Sequence, residues 1–158
     1  MNIYFDMDGT LAKWRNVSFE ETFEENYFRD LEPEENLIKV VKMLVEDGHD
    51  VQILTSAAPL ERIRSDKMSW LKKQGLDDLP VVFVDYGDNK IDYVPAFETC
   101  YLVDDYSKNL HEWESGGHIG IKWYNRFNGN HGTWRGYMLS ERMDASTIYD
   151  TIVGVTKA

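Results

Sequence analysis

Two aspartates, Asp6 and Asp8, stand two positions apart where the first apolar run of the chain ends. Side chains at i and i+2 of an extended backbone point to the same side, so both carboxylates would face one crevice. Carboxylates held this close repel each other, and a cation between them offsets that repulsion. One carboxylate could attack the phosphorus atom of a phosphate ester, while the other acts as a general acid and base. A solvated turn is the alternative, but the strand before the pair and Gly9-Thr10 after it favour a site.

Three further polar groups occur at predicted strand ends or in loops. Thr55 and Ser56 follow the second apolar run and offer hydroxyls to a phosphate oxygen, although a turn or a helix cap is the alternative. Lys90 lies in a predicted loop, where a lysine is normally surface charge. Asp104 and Asp105 follow the fourth apolar run and could instead form a solvated turn. Because the carboxyl ends of parallel strands meet at one crevice, these groups together predict a phosphate site.

The elements that would position these groups alternate along the chain. Strands are predicted over 2–6, 50–55, 81–84, 101–103 and 119–123, and helices over 34–47, 59–74, 108–114 and from 144 onward. Alternating strands and helices imply βαβ units with right-handed crossovers. The predicted fold class is therefore α/β, a three-layer parallel sandwich. At 158 residues the chain is most simply one domain.

The net charge and the amino-acid composition limit the classes of partner that this protein can bind. The net charge of −11, with no basic stripe, argues against nucleic acid as a partner. A small anionic substrate is still possible because a bound metal can dominate the local charge. Cys100 is the only cysteine, which fits a reducing compartment, and we see neither a targeting segment nor a membrane-spanning stretch. We therefore expect a cytoplasmic protein without a membrane partner, and the oligomeric state stays open.

Taken together, the polar groups resemble a known superfamily. The four motifs of the haloacid dehalogenase-like (HAD) phosphohydrolases are similar to Asp6-Met7-Asp8-Gly9-Thr10, Leu54-Thr55-Ser56, Lys90 and Val103-Asp104-Asp105. The resemblance covers the core from residue 2 to about residue 110. It implies a Rossmann-like fold, Mg²⁺ dependence and an aspartyl-phosphate intermediate. It also implies one HAD-like domain over residues 1–158, with a small cap insertion at about residues 12–33 after the first strand.

The same resemblance implies catalytic and phosphate-binding roles. Asp6 would be the nucleophile and Asp8 the general acid/base. Thr55, Ser56 and Lys90 would bind the phosphoryl group and offset its charge in the transition state. An aspartate two residues after the nucleophile implies a phosphatase rather than a dehalogenase.

The resemblance implies a metal site as well. Asp6, the main-chain carbonyl of Asp8 and an aspartate of the 104–105 pair would hold the Mg²⁺ ion. Asp105 is favoured as the direct ligand, with Asp104 acting through water, and the sequence leaves that order open.

Within the superfamily, the closest resemblance is to the 5′(3′)-deoxyribonucleotidases, through residues 6–9, 27–33 and 53–56 and the Asp-Asp pair. This implies a nucleoside monophosphate as the substrate. Trp14 stands eight residues after the nucleophile, where similar enzymes carry an aromatic residue against the base, and aromatic faces suit stacking. Phe19, Phe23 and Tyr27 have the spacing of the inward face of a small helix. Trp14 is therefore the candidate substrate contact.

Because the predicted cap is short, the sequence also allows substrates other than nucleoside monophosphates. The segment after Leu11 is too short for the helical-bundle cap of the animal deoxyribonucleotidases, so an open site could admit another small phosphate ester, such as a phosphosugar, or a polynucleotide 3′-end. The acidic charge disfavours the polynucleotide. A non-catalytic, receiver-like phosphate-binding regulatory domain is a further alternative, although receivers place the acidic pair and the accepting aspartate on different strands.

One later segment could also reach the site. Residues 125–135 could fold over it, although solvated loop positions are the commoner arrangement. The candidate side chains in this segment are Arg126, His131, Trp134 and Arg135.

Overall fold

The computed structural model describes residues 1–95, 97–127 and 132–158. The strands in these ranges are β1 (Asn2–Phe5), β2 (Asp50–Ala57), β3 (Val81–Asp85), β4 (Cys100–Asp104), β5 (Ile119–Tyr124) and β6 (Tyr137–Ser140). The α-helices are α1 (Glu35–Glu46), α2 (Glu61–Lys73), α3 (Ser107–Ser115) and α4 (Ala145–Thr156), and short 3-10 helices lie at Glu20–Phe23 and Lys90–Tyr93. No helix among these residues is long and apolar enough to cross a bilayer.

The strands form one sheet in the order β3-β2-β1-β4-β5-β6, and every neighbouring pair is parallel. Strand order reverses at β1, which pairs with β2 on one side and with β4 on the other. Ligands of open α/β sheets bind at such a switch point, beyond the carboxyl ends of the strands. The predicted α/β class, a Rossmann-like parallel sheet, is confirmed.

Alternate residues of β1 pack into two cores on opposite faces of the sheet. Ile3 and Phe5 belong to a core that includes residues of α1, α2 and α4. Tyr4 packs in a second core with Trp113 of α3, and the centroids of these two rings are 5.6 Å apart in an edge-to-face arrangement. A strand buried on both faces is typical of a parallel sheet. Packing on both sides holds the end of β1, and with it Asp6, in a fixed place.

The observed elements differ from the predicted ones at two places that matter for the site. Strand β2 runs to Ala57 rather than ending at residue 55, so Ser56 as well as Thr55 lies within it, paired with β3. Strand β6 is absent from the prediction because its four residues follow a glycine-rich stretch of sequence and are too few to show a periodic pattern. It adds a sixth parallel strand beside β5.

The predicted cap insertion, residues 12–33, is closed at its base. The backbone N–H of Lys13 donates to the carbonyl of Glu32 at 2.7 Å, and the N–H of Glu34 donates to the carbonyl of Leu11 at 2.8 Å. Trp70 of α2 donates through Nε1 to the carbonyl of Leu31 at 2.7 Å. These bonds tie the segment to the core next to the end of β1. Its assignment as the cap of a single domain stays a prediction.

One prediction for this segment is wrong. Phe19 is 61% exposed and does not lie on the inward face of a helix. The reason is that the segment forms only the short 3-10 helix Glu20–Phe23. A 3-10 helix has fewer residues per turn than an α-helix, so residues at i and i+4 do not share a face, and Phe19 lies before the helix begins. Tyr27 is buried, as that interpretation expects.

Candidate active site

Three aspartates meet at the carboxyl ends of β1 and β4. Carboxylate oxygens of Asp6, Asp104 and Asp105 lie within 4.8 Å of one another, and all three residues are buried. The backbone N–H of Asp6 donates to the carbonyl of Val103 at 2.9 Å, which joins the two strand ends. The first and fourth sequence motifs therefore lie together.

Lys90 bridges two of these carboxylates. Its Nζ donates to Asp6 Oδ1 and to Asp104 Oδ2, both at 2.7 Å. Burial alone would lower the pKa of Lys90, but the charges of Asp104 and Asp6 outweigh burial and raise it, so the ammonium stays charged. Burial, together with the charge of Asp6, raises the pKa of Asp104. Lys90 contacts two of the three buried carboxylates, and with the nearby buried Lys122 two lysines face three aspartates, which leaves excess negative charge.

This acidic cluster fits a divalent cation. Carboxylate and carbonyl oxygens are the donors that Mg²⁺ and similar hard ions take. The three carboxylates offer such donors within one small volume, and a cation would offset the negative charge of Asp6, which adds to burial in raising the pKa of Asp104. The site is therefore compatible with a bound divalent metal.

The loop after β1 holds Asp105 closely. Thr10 donates through Oγ1 to Asp6 Oδ2 at 3.0 Å, and the same hydroxyl lies 3.5 Å from Asp105 Oδ1. Asn125 donates through Nδ2 to the carbonyl of Gly9 at 2.7 Å and to Asp105 Oδ2 at 3.4 Å. Gly9 has φ +80°, and a Cβ there would lie 2.3 Å from Asp105 Oδ2. Position 9 thus requires glycine both for its backbone conformation and for space.

A second lysine, Lys67 of α2, joins Asp8 to the end of β2. Its Nζ donates to Asp8 Oδ2 at 2.5 Å, to Thr55 Oγ1 at 3.0 Å and to the carbonyl of Ser56 at 2.9 Å. Ser56 lines the cavity that contains the aspartates, whereas Thr55 is fully buried and is not part of its wall. A phosphoryl contact by Thr55 stays a prediction.

Sequence reasoning missed three buried polar residues near the site. Lys67 stands four residues after Ile63 and three before Trp70, on the buried face of α2, and a lysine at an apolar position was the available signal. Asn125 directly follows β5, the same strand-end placement that identified Asp104. Lys122 of β5 is buried, and burial lowers its pKa despite the nearby acidic pair.

The cavity over the aspartates has a volume of about 450 Å³ and an aromatic rim. Its exposed rings are those of Trp14, Phe19, Tyr86 and Tyr106. Burial, followed by the charge of Asp8, raises the pKa of Tyr86 to about 12, so its hydroxyl stays protonated and can donate a hydrogen bond. The centroids of the Phe19 and Tyr86 rings are 5.9 Å apart. We call these four residues the aromatic rim.

A second groove, of about 700 Å³, adjoins this cavity, and Lys13 and Trp14 line both. Glu34 in its wall is buried, and burial raises the pKa of that carboxyl group. Arg126 also lines the groove and pairs with Glu141 at 3.4 Å. The groove carries charges of both signs and offers no uniform surface to a polyanion.

Two other candidates of the 125–135 segment, Trp134 and Arg135, do not line the cavity over the aspartates. Trp134 is buried in the core beside α3, and its Nε1 donates to the carbonyl of Tyr137 at 2.9 Å. Arg135 donates to the carbonyls of Gly132 and Trp134. His131 lies outside the described residues.

Comparisons with known proteins found similar structures but no matching sequence. No protein-family model matches the chain, and no curated protein sequence matches it. A phosphoserine phosphohydrolase-like protein from Francisella tularensis subsp. tularensis SCHU S4 has a TM-score of 0.63 at 11% identity, over 96% of this chain and 99% of that one. A hydrolase from Pseudomonas syringae has a TM-score of 0.63 at 12% identity, over 96% and 98%.

A third similar structure is longer than this protein. A chain of the Pnkp1/Rnl/Hen1 complex has a TM-score of 0.63 at 17% identity over 77% of this chain, which spans only 44% of that chain. At such identities the similarity shows the fold alone. The fold is therefore the predicted α/β Rossmann-like parallel sheet, whereas the resemblance to the HAD superfamily and to its deoxyribonucleotidases stays a prediction.

The glycine at position 9 can be tested against a matched position. Gly9→Ala and Gly117→Ala both place alanine at positive φ, at a cost of about 1–2 kcal/mol each, but only the Cβ at position 9 would overlap Asp105. We expect Gly9→Ala to lower the free energy of unfolding by about 1–3 kcal/mol more than Gly117→Ala, and to weaken Mn²⁺ binding. Urea denaturation and calorimetric titration measure both effects. Equal losses in the two variants would contradict the close packing of Asp105 on Gly9.

Proposed function

We propose that this protein is a Mg²⁺-dependent phosphomonoesterase that acts through an aspartyl-phosphate on Asp6. The observation that carries the proposal is the placement of Asp6 and Asp8 in one cavity, with Lys90 at 2.7 Å from Asp6 and Asp105 beside it. A site that only binds phosphate has no need for two carboxylates there, because carboxylates repel the ligand. Two structures of the same fold are named as a hydrolase and a phosphohydrolase-like protein, which supports the same class of chemistry.

The first half-reaction transfers the phosphoryl group to the protein. A carboxylate oxygen of Asp6 attacks phosphorus, the bond from phosphorus to the ester oxygen breaks, and Asp8 gives its proton to that departing oxygen. Lys90 offsets the negative charge of the transferred group, because two of its three N–H donors hold Asp6 and Asp104 and the third points to no acceptor among the described residues. The products are the free alcohol and the aspartyl-phosphate.

The second half-reaction restores the protein. Asp8, now a carboxylate, takes a proton from water as the water oxygen attacks phosphorus. The bond from phosphorus to the Asp6 oxygen breaks, and inorganic phosphate leaves. Both carboxyl groups return to their starting protonation states, so the cycle balances.

Asp6, Asp105 and the main-chain carbonyl of Asp8 would hold the proposed Mg²⁺ ion. Both carboxylate oxygens of Asp104 already accept hydrogen bonds, Oδ1 from the N–H of Tyr106 at 2.8 Å and Oδ2 from Lys90 and Asn109. Both oxygens of Asp105 also have partners, Thr10 at 3.5 Å and Asn125 at 3.4 Å, so Asp105 as the direct ligand and Asp104 as a group that acts through water stay a proposal from the sequence motif. When bound, the ion would supply positive charge that offsets the negative charge of the phosphoryl group and of the carboxylates that hold it.

The proposed substrate class is nucleoside monophosphates, and the aromatic rim supports it. Stacking of a base on an aromatic side chain contributes about 1–3 kcal/mol. Trp14 and Tyr86 present exposed rings beside the carboxylates, and the Tyr86 hydroxyl can donate to a base or sugar oxygen. A cytoplasmic location and the absence of membrane and nucleic-acid partners remain predictions, as does the use of Ser56 and Thr55 as phosphate contacts.

A second candidate is a larger phosphate ester that reaches beyond the cavity. The adjoining groove favours it, because Lys13 and Trp14 join the two volumes. A polynucleotide 3′-end fits this groove less well than a neutral extension, since Asp30, Glu32 and Glu141 also line it. A substrate panel scored by kcat/KM separates the candidates, and indifference to the base would count against the nucleotidase.

Asp6→Asn tests the nucleophile. The amide keeps the shape of the side chain but is a poor nucleophile, so kcat for an aryl phosphate should fall by on the order of 10³-fold or more. Asp92→Asn, which makes the same change of charge at an exposed position, should leave kcat unchanged. Chelation of the metal by EDTA should also abolish turnover, and Mg²⁺ should restore it. A folded Asp6→Asn variant with full activity would contradict the proposal that Asp6 is the nucleophile.

Trp14→Ala tests the base pocket. Loss of one stacking surface of about 1–3 kcal/mol should raise KM for nucleoside monophosphates by roughly 5- to 150-fold, and KM for a simple aryl phosphate much less. Phe97→Ala removes an exposed ring that does not line the cavity and serves as the control. Equal losses for the two substrates would remove Trp14 from the base pocket.

A further inference from the structure

Lys67 is fully enclosed, although it is charged and lies on a helix. Its side chain has no exposed surface, and its Nζ lies 4.5 Å from the centroid of the Phe28 ring. Burial of an ammonium is costly unless hydrogen bonds and opposite charge compensate for it. The compensation here comes from three acceptors on two strand ends, and one of them is a carboxylate of the proposed catalytic pair.

The three acceptors account for every donor that Lys67 has. A lysine ammonium carries three N–H groups, and these go to Asp8 Oδ2, Thr55 Oγ1 and the carbonyl of Ser56. No N–H is left for a phosphoryl oxygen. Lys67 therefore differs from Lys90, and any part it has in the reaction must pass through the groups that it holds.

The two oxygens of Asp8 have different surroundings. Oδ2 accepts the 2.5 Å bond from Lys67. Oδ1 is buried and has no hydrogen-bond partner among the residues that the structure describes. A buried polar atom without a partner is uncommon and calls for an explanation. Asp8 is also part of the cavity wall and its side chain is 22% exposed, but Oδ1 itself is covered, so a bound ester or an attacking water would have to displace the atoms over Oδ1 to supply the missing partner.

We propose that Lys67 is a positioning residue for the proposed acid/base, Asp8. The bond to Oδ2 fixes the plane of the carboxyl group and leaves Oδ1 as the oxygen that gives a proton to the ester oxygen and later takes one from water. The bond to Thr55 uses an acceptor position of that hydroxyl, so the hydroxyl hydrogen stays available as a donor. This inference rests on the phosphomonoesterase proposed above and assigns a task that none of the four motifs contains.

The dependence on the leaving group distinguishes positioning from a general structural role. p-Nitrophenolate leaves without a proton, whereas the alcohol of a nucleoside monophosphate needs one. In Lys67→Met, the first-turnover rate measured by rapid quench should fall about 10²-fold more for a nucleoside monophosphate than for p-nitrophenyl phosphate. With the aryl ester, the second half-reaction still needs Asp8, so a burst of about one nitrophenolate per protein should precede a slow steady state.

Matched variants isolate the effect. Lys72→Met removes the same charge from an exposed position of the same helix and should change neither rate. In an Asp8→Asn background, Lys67→Met should lower the first-turnover rate by less than about threefold, because coupled residues are not additive. Lys67→Gln, whose amide can still donate to Asp8, replaces Lys67→Met if the methionine variant does not fold.

The outcomes separate the two proposals. If the wild-type protein hydrolyses neither ester, the phosphomonoesterase proposal fails and this one fails with it. If the wild type is active but Lys67→Met loses the same factor for both esters, shows no burst, or adds its full effect to Asp8→Asn, only the positioning role is overturned. Failure of both Lys67 variants to fold would assign the lysine to the fold and also overturn that role.

Discussion

The burial of three negatively charged carboxylates where β1 meets β4 determines how the rest of this site is built. Three carboxylates within 4.8 Å of one another are buried there, and removal of each ionised group from water carries a penalty of several kcal/mol. The parallel pairing of β1 with β4 holds Asp6 and Asp104 in place, so the chain cannot relieve the repulsion by moving them apart. Burial and the charge of Asp6 raise the pKa of Asp104, and perturbed titratable groups of this kind cluster at functional sites.

Lys90 and Lys67 each compensate the negative charge of one of the two carboxylates of the first motif. Lys90 comes from a short 3-10 helix after β3 and holds Asp6, while Lys67 comes from α2 and holds Asp8. Two acidic groups only two residues apart thus have separate cationic partners from separate elements. Each carboxylate therefore has its own cationic neighbour, which is consistent with the different roles proposed for Asp6 and Asp8.

The strand-end groups could be predicted from the sequence because a strand has a strict two-residue period and an abrupt polar end. Asp6, Asp8 and the 104–105 pair share that signal. Lys67 could not be found in this way, since a lysine within a helical pattern is normally solvated, and its burial depends on the distant Phe28 ring and on the end of β2. Phe19 illustrates the opposite error, because tertiary context replaced the regular helix that its spacing predicted.

In the proposed mechanism, Asp6 itself carries the phosphoryl group during turnover. Acid quenching of the protein during hydrolysis of an aryl phosphate, followed by borohydride reduction, converts an aspartyl-phosphate to homoserine, which peptide mass spectrometry locates. The mechanism predicts homoserine at position 6 in the wild-type protein and none there in Asp6→Asn. Homoserine at another aspartate, or none while turnover is measured, would contradict it.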